Sequence, residues 1–211
     1  MITIIVPCYN EVHSICSVLA ELSTIFNNAQ IIVVDNNSND GSTDIIKSWT
    51  QKRSNFEYHF CEIMGKANAI RSVLPFIRHQ TVLLQDADLE YGIHEVKKLV
   101  ELHYISNADM TIGIRSGMLV RSIIANKLIR FLLKIRFGKT VSDVLTGARV
   151  IKLEILLQCK SKEFGIETEL TKISLKNDYK IVEGQCYYQP RIAGKKIKTR
   201  HMKELIWEAL C

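Results

Sequence analysis

Residues 81–90 read Thr-Val-Leu-Leu-Gln-Asp-Ala-Asp-Leu-Glu, a short apolar strand that runs straight into Asp86 and Asp88, with Glu90 two places on. Side chains at i, i+2 and i+4 of an extended segment point to one side, so Asp86, Asp88 and Glu90 are expected to converge on one hard cation. Mg²⁺ or Mn²⁺ takes one or two carboxylates and completes its shell with water and substrate phosphates. That pattern points to metal-dependent chemistry on a diphosphate. A solvated strand end has the same letters, so the surrounding sequence must choose.

Two earlier stretches supply that context. Ile2-Thr3-Ile4-Ile5-Val6 is a β-branched run closed by Pro7 and followed by Cys8-Tyr9-Asn10-Glu11, and Ile31-Ile32-Val33-Val34 ends in Asp35 and the polar turn Asn36-Asn37-Ser38-Asn39-Asp40-Gly41-Ser42. Continuous apolar runs of this length read as strands buried on both faces of a parallel sheet. Helical patterns fill the intervals at about 12–28, 42–52 and 66–78. In a doubly wound sheet the loops at the carboxyl ends of the strands meet in one crevice. Three acidic loops are therefore expected to share one site.

Taken in order, IIVPCYNE, VVDNNSNDGST, GKANAIRS and LLQDADLEY resemble the nucleotide-diphospho-sugar-using family 2 glycosyltransferases of the GT-A fold. The second half is similar to the branch that makes dolichol- or polyprenyl-phosphate sugars. The resemblance there rests on Gly113-Ile114-Arg115, on the loop Val141 to Val150, on Gly165-Ile166-Glu167-Thr168-Glu169-Leu170, and on Arg191-Ile192-Ala193-Gly194-Lys195-Lys196. The chain departs from that pattern at Asn36, where many members carry Asp, at Ala67 in place of Gly, and at Ala148 in place of an aromatic residue. Lys195, Lys196 and Lys198 all lie near the expected tail lysine.

The resemblance implies an α/β, Rossmann-like single domain with a mostly parallel central sheet flanked by helices. It also implies a metal-dependent inverting transfer from a UDP- or GDP-sugar. Pro7, Tyr9, Asn10 and Glu11 would shape the loop for base and ribose, with Tyr9 offering a stacking face. Asp35 would accept from base or ribose, while Lys66 and Asp86 would lie near the diphosphate. Each has a structural alternative: Asn10 as a helix cap, Asp35 as the cap of a turn with Ser38, and Lys66 or Arg71 as a solvated helix face. Asp88, with Glu90 and Asp86, would hold Mg²⁺ or Mn²⁺. Arg115, Arg149, Arg191 and Lys196 would hold acceptor or donor phosphates, because guanidinium pairs bidentately with phosphate oxygens.

Chemistry separates two acceptor classes. A lipid monophosphate is already mostly ionised near neutral pH, its second pKa being about 6, so it needs cations rather than a base. A sugar hydroxyl of a surface polysaccharide or glycolipid needs a general base, for which Asp143, Glu167 or Glu169 would serve. Asp88, Asp143 and Arg115 are the expected catalytic residues. A sugar-1-phosphate nucleotidyltransferase would show a Gly-rich N-terminal loop where Pro7-Cys8-Tyr9-Asn10-Glu11 stands. A non-catalytic nucleotide-sugar-binding paralogue is the reading from another class, and the retention of all three carboxylates argues against it.

Composition agrees with one catalytic domain over 1–211, its halves 1–115 on the nucleotide-sugar side and 116–211 on the acceptor side. With 211 residues, 47% hydrophobic and 24% charged, the chain builds one substantial core. No linker, repeat or low-complexity tract divides it. The six cysteines show no CxxC spacing and are expected to be reduced, as in a cytosolic protein. No signal-peptide pattern opens the chain, and no run of 18 apolar residues crosses a membrane.

Met118 to Lys139 carries Arg121, Lys127, Arg130, Lys134, Arg136 and Lys139 and no acidic residue, within a chain of net charge +6. Its apolar residues are spaced through a helix. Such a segment either lies on an anionic membrane surface or packs on the core with a solvated basic side. The first reading makes the protein peripheral on the cytosolic face of a membrane. Cations without interleaved aromatic platforms speak against nucleic-acid binding.

Overall fold

The computed structural model describes residues 1–163, 165–190 and 201–210. Its first half alternates strand and helix: β1 (Thr3–Cys8), α1 (Ile15–Ile25), β2 (Gln30–Asp35), α2 (Ser42–Thr50), β3 (Phe56–Phe60), α3 (Lys66–Ser72), a 3₁₀ turn (Leu74–Phe76) and β4 (Thr81–Leu84). The second half continues with α4 (Ile93–Ser106), β5 (Met110–Ser116), α5 (Val120–Phe137), β6 (Arg149–Lys152), α6 (Leu153–Leu157), α7 (Ile166–Lys176), β7 (Ile181–Tyr187) and α8 (His201–Leu210). The expected helices are present but shorter, and the third ends where the 3₁₀ turn carrying Pro75 begins, as a residue without a backbone N–H requires.

The seven strands form one sheet in the order β3-β2-β1-β4-β6-β5-β7. All neighbours are parallel except β6, which runs antiparallel to both β4 and β5. Period-2 alternation in the apolar runs explains how one sheet feeds two cores. Ile5, Ile32, Val34, Val82 and Leu84 face the layer that includes α3, α5 and α7. Ile4, Val6, Ile31, Val33 and Leu83 face the layer with α1 and α4. This is the mostly parallel, helix-flanked sheet that the sequence predicts. No described helix is long and apolar enough to cross a membrane, and the five described cysteines are free.

β6 opens on Arg149, which the sequence reading places against phosphate. The structure corrects this: Arg149 is fully buried. Its guanidinium donates to the backbone carbonyls of Val144 and Thr146 and, at 2.9 Å, to Thr171 Oγ1. Burial pulls its pKa down to about 10, partly countered by Glu167 and Asp143. A long cation enclosed by carbonyls ties a loop to the core and has no route to a ligand. Arg149→Met keeps the bulk and strips those bonds, and each buried carbonyl left without a donor costs about 1–3 kcal/mol. We expect a lower urea midpoint for the variant, and an unchanged midpoint would show that the carbonyls find other donors.

Candidate active site

The loops after β1, β2 and β4 lie together at the carboxyl ends of adjacent strands. The first two are laced by their own polar side chains. Asn10 N–H donates to Ser38 Oγ at 3.0 Å, Asn39 N–H donates to Asn10 Oδ1 at 2.9 Å, and Glu11 N–H donates to Ser42 Oγ at 2.9 Å. Asn10 has φ 53° and does not cap α1, whose cap position is Ser14. Ser14 Oγ lies 3.0 Å from Glu11 Oε2 and 2.7 Å from the Ala87 carbonyl, which joins the first loop to the Asp86–Asp88 turn. Pro7 and Tyr9 are half-buried beside these groups.

Asp35 is fully buried, with Oδ1 accepting from Ser38 N–H at 3.0 Å and Oδ2 from Thr43 Oγ1 at 2.6 Å. In this structure it holds the turn, as its structural alternative has it. Asn36 follows the same logic. Its amide donates to the carbonyls of Cys61 and Ile63 and accepts from Gly65 N–H at 2.8 Å, fixing the loop that delivers Lys66. A carboxylate there has no protons to donate to two carbonyls, so the departure from Asp makes physical sense.

The expected convergence of Asp86, Asp88 and Glu90 does not occur. β4 ends at Leu84, and the following residues form a turn in which Leu89 takes φ 58°. The i, i+2, i+4 rule needs an extended backbone, and here the backbone is bent. Asp86 instead accepts an ion pair from Lys66 Nζ at 2.6 Å, and Lys66 also meets Glu167 Oε1 at 2.7 Å. Burial acts to lower the lysine pKa, but the two carboxylates outweigh it and hold the ammonium above the usual lysine range. Asp88 Oδ1 accepts from Glu90 N–H at 3.1 Å, and Tyr188 Oη donates to Glu90 Oε2 at 2.9 Å. Among the described residues no three His, Cys, Asp or Glu side chains are preassembled around a metal.

The donor set nevertheless fits a hard divalent cation, which needs only one or two protein carboxylates. Asp86 and Glu167 share the Lys66 ammonium, while Asp88 and Glu90 follow in the same turn, bonded to Glu90 N–H and to Tyr188 Oη. Asp88, half-buried in the turn, and Glu90 beside it are the residues that could hold such an ion.

The second half closes over this turn. Asp143 is fully buried and takes a bidentate pair from Arg115, with Nε to Oδ2 at 2.7 Å and Nη2 to Oδ1 at 2.8 Å. It is thus the counter-ion of Arg115 and not an open general base. Burial acts to lower the Arg115 pKa, but the bond to Asp143 outweighs it and holds the guanidinium charged. Glu169 accepts the N–H groups of Lys160 and Ser161 and the Cys159 thiol, so it anchors a loop. Arg191 and Lys196 lie outside the described residues.

Sequence reasoning missed two positioning groups. Tyr91, buried directly after Glu90, accepts from Gly147 N–H at 3.1 Å, shares a hydrogen bond with Thr146 Oγ1, and packs its ring 5.2 Å from Tyr188. Its position next to the acidic turn was the available signal. Gly147 lies so close to Asp86 that a Cβ there would overlap Asp86 Oδ2. Loop 143–149 and the Asp86–Asp88 turn are therefore one unit.

The family model described as glycosyl transferase family 2 matches residues 3–154, from β1 through all three acidic loops to the end of β6. The chain belongs to glycosyl transferase family 2. It is 30% identical over 115 residues to Protein RfbJ of Shigella flexneri, covering 54% of this chain and 84% of that protein. It is 23% identical over 211 residues to an undecaprenyl-phosphate mannosyltransferase of Micrococcus luteus, covering 90% of this chain and 84% of that one. Glucosyl-3-phosphoglycerate synthase from Mycobacterium tuberculosis, crystallised with Mn²⁺, UDP and glucosyl-3-phosphoglycerate, superposes with TM-score 0.80 at 18% identity. That match covers 100% of this chain and 78% of the synthase, and it shows the GT-A fold. This glycosyltransferase thus has a nucleotide-sugar fold whose acidic turn is braced from the second half.

If Gly147 exists to let the loop meet Asp86, a single methyl should be enough to displace the carboxylate. Gly147→Ala is expected to fold normally by circular dichroism and lose roughly a hundredfold in transfer rate, the scale of a 1 Å misplacement. Wild-type turnover by the folded variant would show that the contact has no catalytic consequence.

Proposed function

We propose that this family 2 glycosyltransferase moves a sugar, with inversion, from a UDP- or GDP-sugar to a polyprenyl phosphate at the cytosolic face of a membrane. The observation that carries the acceptor class is the state of the three carboxylates a hydroxyl acceptor would need. Asp143 is bound to Arg115, Glu167 to Lys66, and Glu169 to the 159–161 loop. An acceptor phosphate brings its own ionised nucleophile and asks for no base. Support also comes from the Micrococcus luteus relative, which matches along nearly the whole chain.

Asp88, with Glu90 beside it, would hold Mg²⁺ or Mn²⁺, and the bound cation would neutralise charge on the leaving diphosphate. The protein's own part is positional. Lys66 holds Asp86 in place, Asn36 and Asn10 set the loops that receive the nucleotide, and Tyr91 keeps loop 143–149 closed over the acidic turn. Arg115, held by Asp143 and 5.3 Å from the Tyr188 ring centroid, would offer the acceptor phosphate the guanidinium N–H groups that Asp143 does not take. Arg191 and Lys196 are proposed to supply further cations for the acceptor phosphate.

The test compares transfer from a labelled nucleotide sugar with added Mn²⁺ to a short-chain, water-soluble prenyl phosphate and to a glycan primer. Transfer to the phosphate is expected, and transfer to the primer alone would overturn the proposal in favour of a hydroxyl acceptor. Asp88→Asn should fold and lose about a hundredfold or more, because metal-borne charge stabilisation is worth several kcal/mol and each 1.4 kcal/mol is tenfold. Undiminished transfer by the folded variant would remove Asp88 from the metal site.

A further inference from the structure

α5 is apolar on two opposite sides. Asn126, Ile129 and Leu133 are buried, while Ile124, Leu128, Phe131 and Ile135 are 63%, 40%, 60% and 68% exposed. At 3.6 residues per turn the exposed four fall within about 60° of arc and run for roughly 16 Å, directly opposite the buried stripe. Val120, also exposed, continues the row toward the start of the helix. An outward stripe of this length on an otherwise satisfied helix marks an interaction surface.

Its borders are cationic. Lys127 and Lys134 flank the stripe on one side and Arg121 on the other, all three exposed, and the segment 118–139 contains no acidic residue. Arg130 is half-buried, and Arg136 donates to the Ala209 carbonyl of α8, so these two are less available for a partner. Apolar residues inside a rim of unopposed cations complement an anionic lipid surface, in which the apolar row enters the acyl boundary while the lysines stay at the headgroups.

We propose that this outer face of α5 seats the enzyme on an anionic bilayer, a proposal that rests on the lipid-phosphate reading of the acceptor. The inner side of the same helix connects it to the site. Asn126 donates to the Ser142 carbonyl at 3.0 Å and accepts from Val144 N–H at 2.8 Å, gripping both sides of Asp143 in the loop that continues to Gly147. A bilayer under the outer stripe thus lies one helix diameter from the loop that closes on Asp86. The seat brings a lipid-borne phosphate and the acidic turn to the same edge of the molecule.

The experiment uses the full chain with neutral phosphatidylcholine vesicles and with vesicles containing phosphatidylglycerol, read by co-sedimentation. The variants are Leu128→Ser with Phe131→Ser, and Lys127→Glu with Lys134→Glu. All four positions are exposed, so melting temperatures should match wild type. Wild type is expected to partition to the anionic vesicles and be released by salt, and each double variant to bind about tenfold less or worse. Transfer to full-length polyprenyl phosphate in vesicles should fall in parallel, while transfer to the short-chain soluble phosphate stays within twofold. Equal binding to neutral and anionic vesicles, undiminished binding by both variants, or a wild-type dimer that Phe131→Ser dissociates would overturn the proposal. Vesicle binding that follows this pattern in a protein with no transfer to either phosphate would uphold the membrane seat and reject the acceptor assignment.

Discussion

A single half-buried ammonium holds the functional end of this molecule together. Lys66 stands at the start of α3 and reaches Asp86 after β4 and Glu167 at the start of α7, three segments spread over about a hundred residues. Burying a charge is costly unless it is paired, and breaking one partner of such a set leaves the others uncompensated. The two carboxylates keep the lysine protonated, and the lysine bridges them at 2.6 and 2.7 Å. Asp86 is therefore held in place before any ligand arrives.

Around that centre the two halves are joined by groups that each touch both. Tyr91 belongs to the acidic turn by sequence and to loop 143–149 by its hydroxyl. Tyr188, one residue past β7, donates to Glu90 and lies under the Arg115 guanidinium, while an isolated bridge pairs it with Tyr91. Burial raises both phenol pKa values, so both stay protonated as donors. Asn126 then carries the loop's position outward to α5. The result is a continuous set of contacts from the nucleotide-side loops to an outward-facing apolar helix stripe, in keeping with the proposed transfer from a soluble donor to a lipid acceptor.

The fold was legible because the strand signals are strong. Ile2 to Val6, Ile31 to Val34 and Thr81 to Leu84 are each unbroken apolar runs, and each ends in polar residues that turn out to lie at one edge of the sheet. The acidic turn was legible as a site, but its geometry was not. Leu89 adopts a left-handed backbone that no propensity of leucine suggests, and the carboxylates consequently separate. Partner choice was equally hidden. Arg115 and Arg149 look alike in sequence, yet one meets Asp143 at the crevice and the other is enclosed by carbonyls, because β6 inserts antiparallel between β4 and β5 and buries its first residue. The basic segment 118–139 reads as either core-packed or membrane-facing from its letters, and the structure shows a helix with one buried and one exposed apolar side.

The claim on which the rest depends is that Lys66 couples the acidic turn to α7, and a double-mutant cycle on transfer rate addresses it. Lys66→Met, Glu167→Gln and the pair would be compared with wild type under saturating metal and donor. If the ammonium links the two carboxylates, Glu167→Gln should slow the wild type but leave Lys66→Met unchanged or faster, because without the lysine Glu167 only repels Asp86. The coupling would then exceed about 1 kcal/mol, within the range for residues of one charged network. Additive effects, agreeing to about 0.5 kcal/mol as for independent sites, would contradict the account.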